Sequence, residues 1–433
     1  MNSLNNNKNT IVSIVFALFP LSFIAGNLLI NLNVIFLVLI SSIFYFEEFQ
    51  KFKLNLLDKI VIGFFIYSIL VLLINFFEAK LNDEIFSTNI INKTFLFLRY
   101  LLMYILIRFL ISQKLIKLDL FFYLCALATI FVCFDIFFQF LHGKDIFGLT
   151  PVHLRKLTGP FGDELIAGGY IQRFSLFALF LPFILKQKIS KRIFFSILIL
   201  IIFFSGIVLS GNRVPLIMFI LSVCLVFFLQ KDLRKYFILF LIIISLLTTY
   251  MVKNNKYIKD NWSNLIWNVK IAAEYYQGKK ARDDAGVPHT GYAGIPYTHV
   301  FDSSYKTWKK NKYFGGGIRS YRINCPFCDS HPHNYYFEIL DDLGLFGFFY
   351  FLFFLLLLTY KSYKNKSIFY INSNFNKMYL PLFCLLFVEL FPFRSTGSFF
   401  STNNATYIFI MLAMFISLVL QKSELETELK LDK

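Results

Sequence analysis

Long apolar runs alternate with short polar connections along most of the chain. A helix that crosses a membrane needs about 20 mostly apolar residues. Twelve runs approach that length and are predicted to be membrane spans, at residues 11–26, 28–46, 56–77, 94–112, 119–141, 164–185, 192–210, 214–230, 235–252, 335–359, 378–391 and 404–420. The pattern therefore predicts an all-α fold, a polytopic membrane helical bundle of about twelve transmembrane helices with one long loop.

The long polar stretch between the ninth and tenth spans divides the chain into three predicted parts. Residues 1–252 hold the first nine spans, residues 253–334 form a loop outside the membrane, and residues 335–433 hold the last three spans and a tail.

Apolar residues recur at helical spacing near the start of this loop. Trp262, Ile266 and Val269 follow that spacing, which predicts an amphipathic helix between Trp262 and Tyr276. Such a helix either lies on the membrane surface or covers a site as a lid.

The orientation follows from the Lys and Arg residues of the short loops. With the N-terminus inside, 20 of the 43 Lys and Arg residues lie on the inner side and 7 in short outer loops. The 13 in the long loop are left out, because long loops cross the membrane regardless of charge. The remaining three, Arg99, Arg108 and Arg173, lie within spans. Both termini are thus predicted to be cytoplasmic, with the long loop outside.

Composition agrees with a membrane protein. Hydrophobic residues make up 57% of the chain and charged residues 16%, whereas a soluble chain carries about 25% charged residues. This excludes a soluble enzyme, a disordered protein, a coiled coil and a disulfide scaffold. The net charge of +17 is dispersed between the apolar runs and along the long loop, so nucleic acid is not the expected partner.

The start of the tenth span carries the most unusual polar pattern. His333 and Asn334 open an apolar helix that contains Gly344 and Gly347. The positive end of a helix disfavours a charged imidazole, so a neutral His333 is predicted to accept a proton or bind a substrate hydroxyl. The alternative is an interfacial His held by loop carbonyls. The two glycines favour close helix packing.

Carboxylates follow within about two turns of the same helix. Glu338, Asp341 and Asp342 are candidates for function, because acidic groups inside a span are costly.

Three arginines are predicted on the outer face. Arg213 begins the eighth span, Arg319 follows three glycines at 315–317, and Arg394 follows the eleventh span. Guanidinium groups grip phosphate oxygens in pairs, so these three are predicted to bind a phosphorylated substrate. The alternative for each is anchoring to lipid headgroups.

The outer stretch before the sixth span adds both signs of charge. Arg155 is a further candidate for the phosphate, and Glu164 is predicted to act as a base or to pair with Arg173. Three residues, Arg213, Arg319 and His333, are predicted to converge on one cavity.

Cys325-x-x-Cys328-x-x-His331-x-His333 has some features of a zinc site. Four ligands within nine residues make a cramped tetrahedron, and a Cys pair outside the cytoplasm more often forms a disulfide. No metal is therefore expected. No P-loop or other nucleotide motif stands in a strand–helix context, so no cofactor is expected.

The motif His333-Asn334-x9-Gly344-x-x-Gly347 resembles the outer-loop motif of O-antigen ligases. Other stretches are similar to the same ligase and polymerase superfamily, namely Leu209-Ser210-Gly211-Asn212-Arg213, Phe314-Gly315-Gly316-Gly317-Ile318-Arg319 and Thr158-Gly159-Pro160-Phe161-Gly162. The resemblance covers roughly residues 155–347, and the first five spans only by topology. The chain departs from many members at Asp163-Glu164, where they have neutral residues.

This resemblance implies a metal-independent membrane glycosyltransferase of the GT-C type in the bacterial inner membrane, acting on the periplasmic face in lipopolysaccharide or surface polysaccharide biosynthesis. Its donor would be a glycan on undecaprenyl diphosphate. Its acceptor would be lipid A–core for a ligase, or a second lipid-linked repeat unit for a polymerase. By resemblance, Arg213 and Arg319 would hold the diphosphate and His333 would work at the acceptor hydroxyl.

Two other classes compete with this interpretation. A lipid-linked oligosaccharide flippase would place polar residues near the midplane in broken helices, whereas the charges here cluster at the outer face. Other GT-C enzymes usually carry an acidic motif in a sizeable first outer loop, whereas the first outer turn here is Ala25-Gly26-Asn27.

Overall fold

A computed structural model describes residues 2–151, 156–185, 189–276, 296–324, 331–364 and 374–431. The described chain is helical and contains no β-strand. The helices of the N-terminal half are α1 Asn2–Ala17, α2 Phe19–Ala25, α3 Asn27–Gln50, α4 Leu56–Leu81, α5 Thr88–Ser112, α6 Leu118–His142, α7 Ala167–Ile184 and α8 Ile189–Leu209. The helices of the C-terminal half are α9 Arg213–Leu229, α10 Phe237–Asn254, α11 Lys256–Tyr276, α12 Pro296–Lys310, α13 Ser320–Asn324, α14 Tyr335–Lys364, α15 Asn374–Glu389 and α16 Thr402–Leu431. Short 3₁₀ helices lie at Gly159–Phe161 and Lys231–Tyr236.

Each of the twelve predicted spans coincides with a helix. Within the described ranges, ten helices are long and apolar enough to cross a membrane, with α1 and α2 counted together. The other two predicted spans correspond to α9, with 17 residues, and α15, with 16. The prediction of an all-α polytopic bundle is confirmed.

The helices differ greatly in how much of their surface the protein covers. Within the apolar part of α16, 89% of the residues are buried, and the corresponding share is 83% for α7 and 6% for α10. α7 packs against α6, α8 and α15, while α16 packs against α5 and α15. The centre of the bundle is therefore built on α7 and α16, with α10 at its edge.

The long loop is largely helical in its described parts. The amphipathic helix predicted from Trp262 is α11, which begins earlier, at Lys256. The Asn261 amide donates to the Gly211 carbonyl at 2.9 Å, which ties α11 to the turn between α8 and α9. The next helix, α12, packs on α14 and buries Ser304 against it.

Candidate functional site

A cavity of about 590 Å³ opens where four interhelical connections meet. Its lining comes from the turn at Ala25–Asn27, the stretch from Lys156 to Ile166, the turn at Gly211–Arg213 and the loop at Arg394–Gly397. These connections follow the first, fifth, seventh and eleventh predicted spans. In a chain whose spans alternate in direction, all four lie on one side of the membrane. That side is the one predicted to be periplasmic.

Arg213 lines the cavity as the first residue of α9. Its position is set by Asn212, whose side-chain oxygen accepts from the Gly168 amide at 3.0 Å and whose nitrogen donates to the Leu165 carbonyl at 3.0 Å. These two bonds join the start of α9 to the loop that enters α7. Gly168 has no side chain, and a Cβ there would lie 2.8 Å from the Cβ of Asn212. The approach of these two segments therefore requires glycine.

Lys156 faces the same cavity and was not among the predicted site residues. Burial lowers the pKa of the Lys156 ammonium, and the nearby positive charge of Arg213 lowers it further. Two cations held close together in a part-buried cavity repel each other, so an anion between them would stabilise both. The sequence signal for Lys156 was its place in the outer stretch that also holds Glu164.

Glu164 is exposed at the cavity wall. Its predicted alternative partner, Arg173, instead binds Glu389. Arg155 lies outside the described residues, as do Cys325 and Cys328 of the possible zinc motif. Among the residues that are described, no group of three or more His, Cys, Asp and Glu is placed to hold a metal ion.

Arg394 reaches the cavity from the loop before α16 and is part of a buried ionic cluster. Glu389, at 0% exposure, lies between two arginines. Arg394 Nη1 is 2.5 Å from Glu389 Oε2, while Arg173 donates to Oε1 at 2.6 Å and to Oε2 at 3.1 Å. The Tyr335 hydroxyl donates to Oε1 at 2.8 Å. This cluster joins α7, α14 and α15 under the cavity.

Sequence reasoning missed Glu389. The signal was available, because a single carboxylate ends an apolar run and acidic groups in such places are costly unless paired. Arg173 has further partners in Asn403 and Asn404, whose side-chain oxygens each lie 2.6 Å from its nitrogens. These bonds bring the start of α16 into the same cluster.

Asn334 caps α14 and ties it to the cavity loop. Its side-chain oxygen accepts from the amides of Tyr336 and Phe337 at 2.9 and 3.2 Å, which satisfies two of the free donors at the helix start. Its nitrogen donates to the carbonyls of Pro392 at 2.7 Å and Arg394 at 3.3 Å.

His333 lies just outside that helix start, as predicted. Its backbone has φ 51°, in the left-handed region, and its carbonyl accepts from the Thr396 amide at 2.9 Å. Thr396 lines the cavity, whereas His333 itself is not part of the lining. His333 is half-buried, and its ring lies 4.3 Å from that of His331.

Arg319 also has a left-handed backbone, with φ 82°. Its amide donates to Asp342 at 2.8 Å, and Ser320 Oγ donates to the same carboxylate at 2.9 Å. Asp342 therefore holds the start of α13. Unfavourable backbone conformations of this kind often occur at functional sites.

The three glycines before Arg319 pack against a kink in α14. Gly344 has φ 67° inside this helix, and a Cβ on Gly315 would lie 2.5 Å from the Gly344 nitrogen. The amides of Gly316 and Gly317 donate to the carbonyls of Asp341 and Asp342 at 3.1 and 2.9 Å. The glycines thus permit a close contact between two backbones.

The central part of the chain matches a known protein family. Residues 198–352 match the model of the O-antigen ligase family. The predicted resemblance is confirmed. No curated protein matches the chain.

The matched segment runs from within α8 to within α14. It includes Arg213, Arg319 and His333, while Glu164 and Arg394 lie outside it. The structure thus brings Arg213, Arg394 and Glu164 into one cavity, with His333 joined to that cavity's loop and Arg319 outside the lining. Convergence of Arg213, Arg319 and His333 on one cavity stays a prediction.

Proposed function

We propose that this protein is a membrane glycosyltransferase that transfers a glycan from undecaprenyl diphosphate to a sugar hydroxyl. The observation that carries the proposal is the cavity that holds Lys156, Arg213 and Arg394, because Arg213 belongs to the segment that matches the O-antigen ligase family. The acceptor is lipid A–core if the protein is a ligase, or a second lipid-linked repeat unit if it is a polymerase. The proposal includes cytoplasmic termini in a bacterium and a cavity on the periplasmic face of the inner membrane.

The cations of the cavity are assigned to the diphosphate of the donor. Negative charge grows on the diphosphate as its bond to the sugar breaks, and fixed positive groups stabilise that charge. Arg213 and Lys156 are the strongest candidates for this role. Both line the cavity, and their positive charges repel each other when no anion lies between them. Arg394 also lines the cavity, where its guanidinium is paired with Glu389. Arg319 and Arg155 are the remaining proposed contacts.

The reaction is a single displacement at the anomeric carbon. The acceptor oxygen forms a bond to that carbon, and the bond from the carbon to the diphosphate oxygen breaks with its electron pair. His333 is proposed to take the hydroxyl proton as it is lost, and Glu164 is the second candidate for this base. The backbone of His333 is joined to the cavity loop by the bond from the Thr396 amide to its carbonyl.

Deleting the gene and separating the cell-surface glycans on a gel tests the proposed function. Loss of a ligase leaves bare core while long chains accumulate on undecaprenyl diphosphate. Loss of a polymerase leaves core with a single repeat. An unchanged glycan pattern contradicts the proposal.

Replacing His333 with Gln is expected to leave more activity than replacing it with Ala. Gln keeps a hydrogen-bonding group near the imidazole position but takes no proton at neutral pH. A general base contributes about 10²–10⁴-fold to a rate, so His333→Ala should lose about that much. The measurement is the initial transfer rate at saturating donor, with expression matched on a blot. Intermediate activity in His333→Gln means that His333 mainly orients the acceptor hydroxyl. Equal loss in both variants means that it is an obligate base, and full activity in His333→Ala removes it from the mechanism.

Transfer in purified membranes is expected to survive EDTA. The proposed role of the arginines is to neutralise the diphosphate, and a second source of positive charge is then not needed. The rate is compared before and after the chelator, with Mg²⁺ added back in a parallel sample. A loss of rate that a divalent cation restores would show that the account based on arginine is incomplete. It would also direct attention to Cys325, Cys328, His331 and His333.

A further inference from the structure

Three arginines lie inside predicted spans, and two of them have a carboxylate partner. Arg108 binds Asp58 through Nε at 2.8 Å and Nη2 at 3.2 Å. Arg173 binds Glu389 through two nitrogens. A charge inside a span is costly unless it is paired. Arg108 and Arg173 are both paired with a carboxylate, as expected for structural arginines.

Arg99 is the exception. Its Nη2 donates to two neutral hydroxyls, those of Tyr100 at 2.5 Å and Thr402 at 3.0 Å, and the guanidinium lies 4.7 Å from the Tyr100 ring. Its Nε is buried and has no acceptor. The ion pairs of the described chain are made by other residues. Arg99 is thus a half-buried cation whose hydrogen-bond partners are neutral.

Other cations gather beside Arg99 at the same end of the bundle. The loop that carries Arg319 packs directly on α5, because a Cβ on Gly317 would lie 2.7 Å from Ile90 Cγ2. Lys93 is one turn further along α5, and it interacts electrostatically with both Arg319 and Arg99. Like charges held together in a partly buried place are unfavourable without an anion.

Two carboxylates are close to this cluster, and both already have other partners. Asp342 accepts from the Arg319 amide at 2.8 Å and from Ser320 Oγ at 2.9 Å. Glu338 accepts from Ser398 Oγ at 2.5 Å and from the Phe399 amide at 2.5 Å. Both donors belong to the loop that runs on to Thr402. Glu338 is therefore used to fasten this loop to α14, and the cluster retains a net positive charge.

We propose that Lys93, Arg99 and Arg319 form an anion site that binds the phosphate group of a membrane-embedded lipid. Arg99 lies five residues inside the fourth predicted span, 94–112, which is about 8 Å along a helix. A long arginine side chain at that depth extends toward the membrane boundary, where lipid phosphates lie. That this lipid is a substrate of the enzyme rests on the proposed function.

The anion site and the cavity are neighbours. Arg99 binds Thr402, and the residues on either side of it, Ser401 and Asn403, line the cavity. A lipid phosphate at Arg99 would therefore lie next to the proposed position of glycan transfer. Either the donor diphosphate or a phosphate of the acceptor lipid fits this placement.

Binding of undecaprenyl diphosphate to the full-length protein in nanodiscs of phosphatidylcholine tests the site without requiring transfer. Arg99→Gln and Lys93→Gln are each expected to weaken binding about tenfold or more, because each loses a charged hydrogen-bonding group. Lys80→Gln is the matched control, an exposed lysine on the same predicted face, and should bind as the wild type does. Undecaprenol, which has no phosphate, should not compete.

The outcomes separate this site from the proposed function. Wild-type affinity for undecaprenyl diphosphate in both Arg99→Gln and Lys93→Gln, together with an unchanged KM for the acceptor lipid, overturns the site. Equal competition by phosphatidylglycerol overturns its role for a substrate. Lys93→Gln, at the half-buried end of α5, remains informative if Arg99→Gln does not fold. A rise in KM for the donor or for the acceptor identifies which lipid is bound, and no rise in either contradicts the substrate role. A wild-type protein that binds the lipid but transfers nothing contradicts the proposed function and leaves the site standing.

Discussion

Replacing Arg213 with Lys is expected to lower the rate of glycan transfer almost as far as replacing it with Ala, by about 10²-fold. Removing one preorganised donor to a developing negative charge costs about 10²–10³ in rate. Lys keeps the positive charge but loses the planar fork that grips two phosphate oxygens at once. It would also place a second ammonium beside Lys156, which Arg213 already repels.

The measurement is the initial rate at saturating lipid-linked donor with matched expression. Arg234→Lys is the control, because it makes the same chemical change at an exposed arginine at the end predicted to be cytoplasmic. It should transfer at the wild-type rate. If Arg213 only anchors the protein to lipid headgroups, a lysine at the same position will anchor it equally well. Transfer near the wild-type rate in Arg213→Lys would therefore contradict the diphosphate role.

Replacing Glu389 with Gln is expected to destabilise the protein by about 3–5 kcal/mol, the usual cost of removing one partner from a buried ion pair. The variant leaves Arg173 and Arg394 facing each other without a counter-charge, since both bind this carboxylate. Gln has nearly the same size, so lost charge rather than lost volume is tested. Thermal unfolding of the purified protein in detergent gives the comparison with the wild type.

Two further variants make the test of the cluster specific. Glu84→Gln removes an exposed carboxylate from a loop on the same predicted face and should leave the unfolding midpoint unchanged. Combining Glu389→Gln with Arg394→Gln removes one of the two uncompensated charges. The double variant should then lose less stability than the two single variants added together. Strict additivity would mean that the two side chains do not interact, against the 2.5 Å contact.

The helices were predictable because each depends on a local property, the length of an apolar run. Even α9 and α15, which are short for a span, were visible in this way. The sequence also predicted that His333 and Asn334 lie at the start of the helix that is now α14. Asn334 belongs there physically, because its short side chain caps the first free amides of a helix.

The partners of the charged residues were not predictable from local sequence. Arg173 was expected to pair with nearby Glu164 if it had a structural role, but its carboxylate is on Glu389, 216 positions away. That pair exists because α7 and α15 pack together. Gly344 was expected to smooth a helix face, yet it forms a kink. The cause is the close approach of Gly315 from the preceding loop, which only the folded chain shows.

Reconstituted transfer tests the central claim most directly. Purified protein in liposomes receives an undecaprenyl diphosphate glycan, with lipid A–core in one sample and a second lipid-linked repeat unit in another. The account predicts that the glycan moves to one of these acceptors, that undecaprenyl diphosphate is released, and that Arg213→Ala abolishes both changes. Movement of the intact lipid-linked glycan between leaflets with no new glycosidic bond would contradict it and would indicate a transporter.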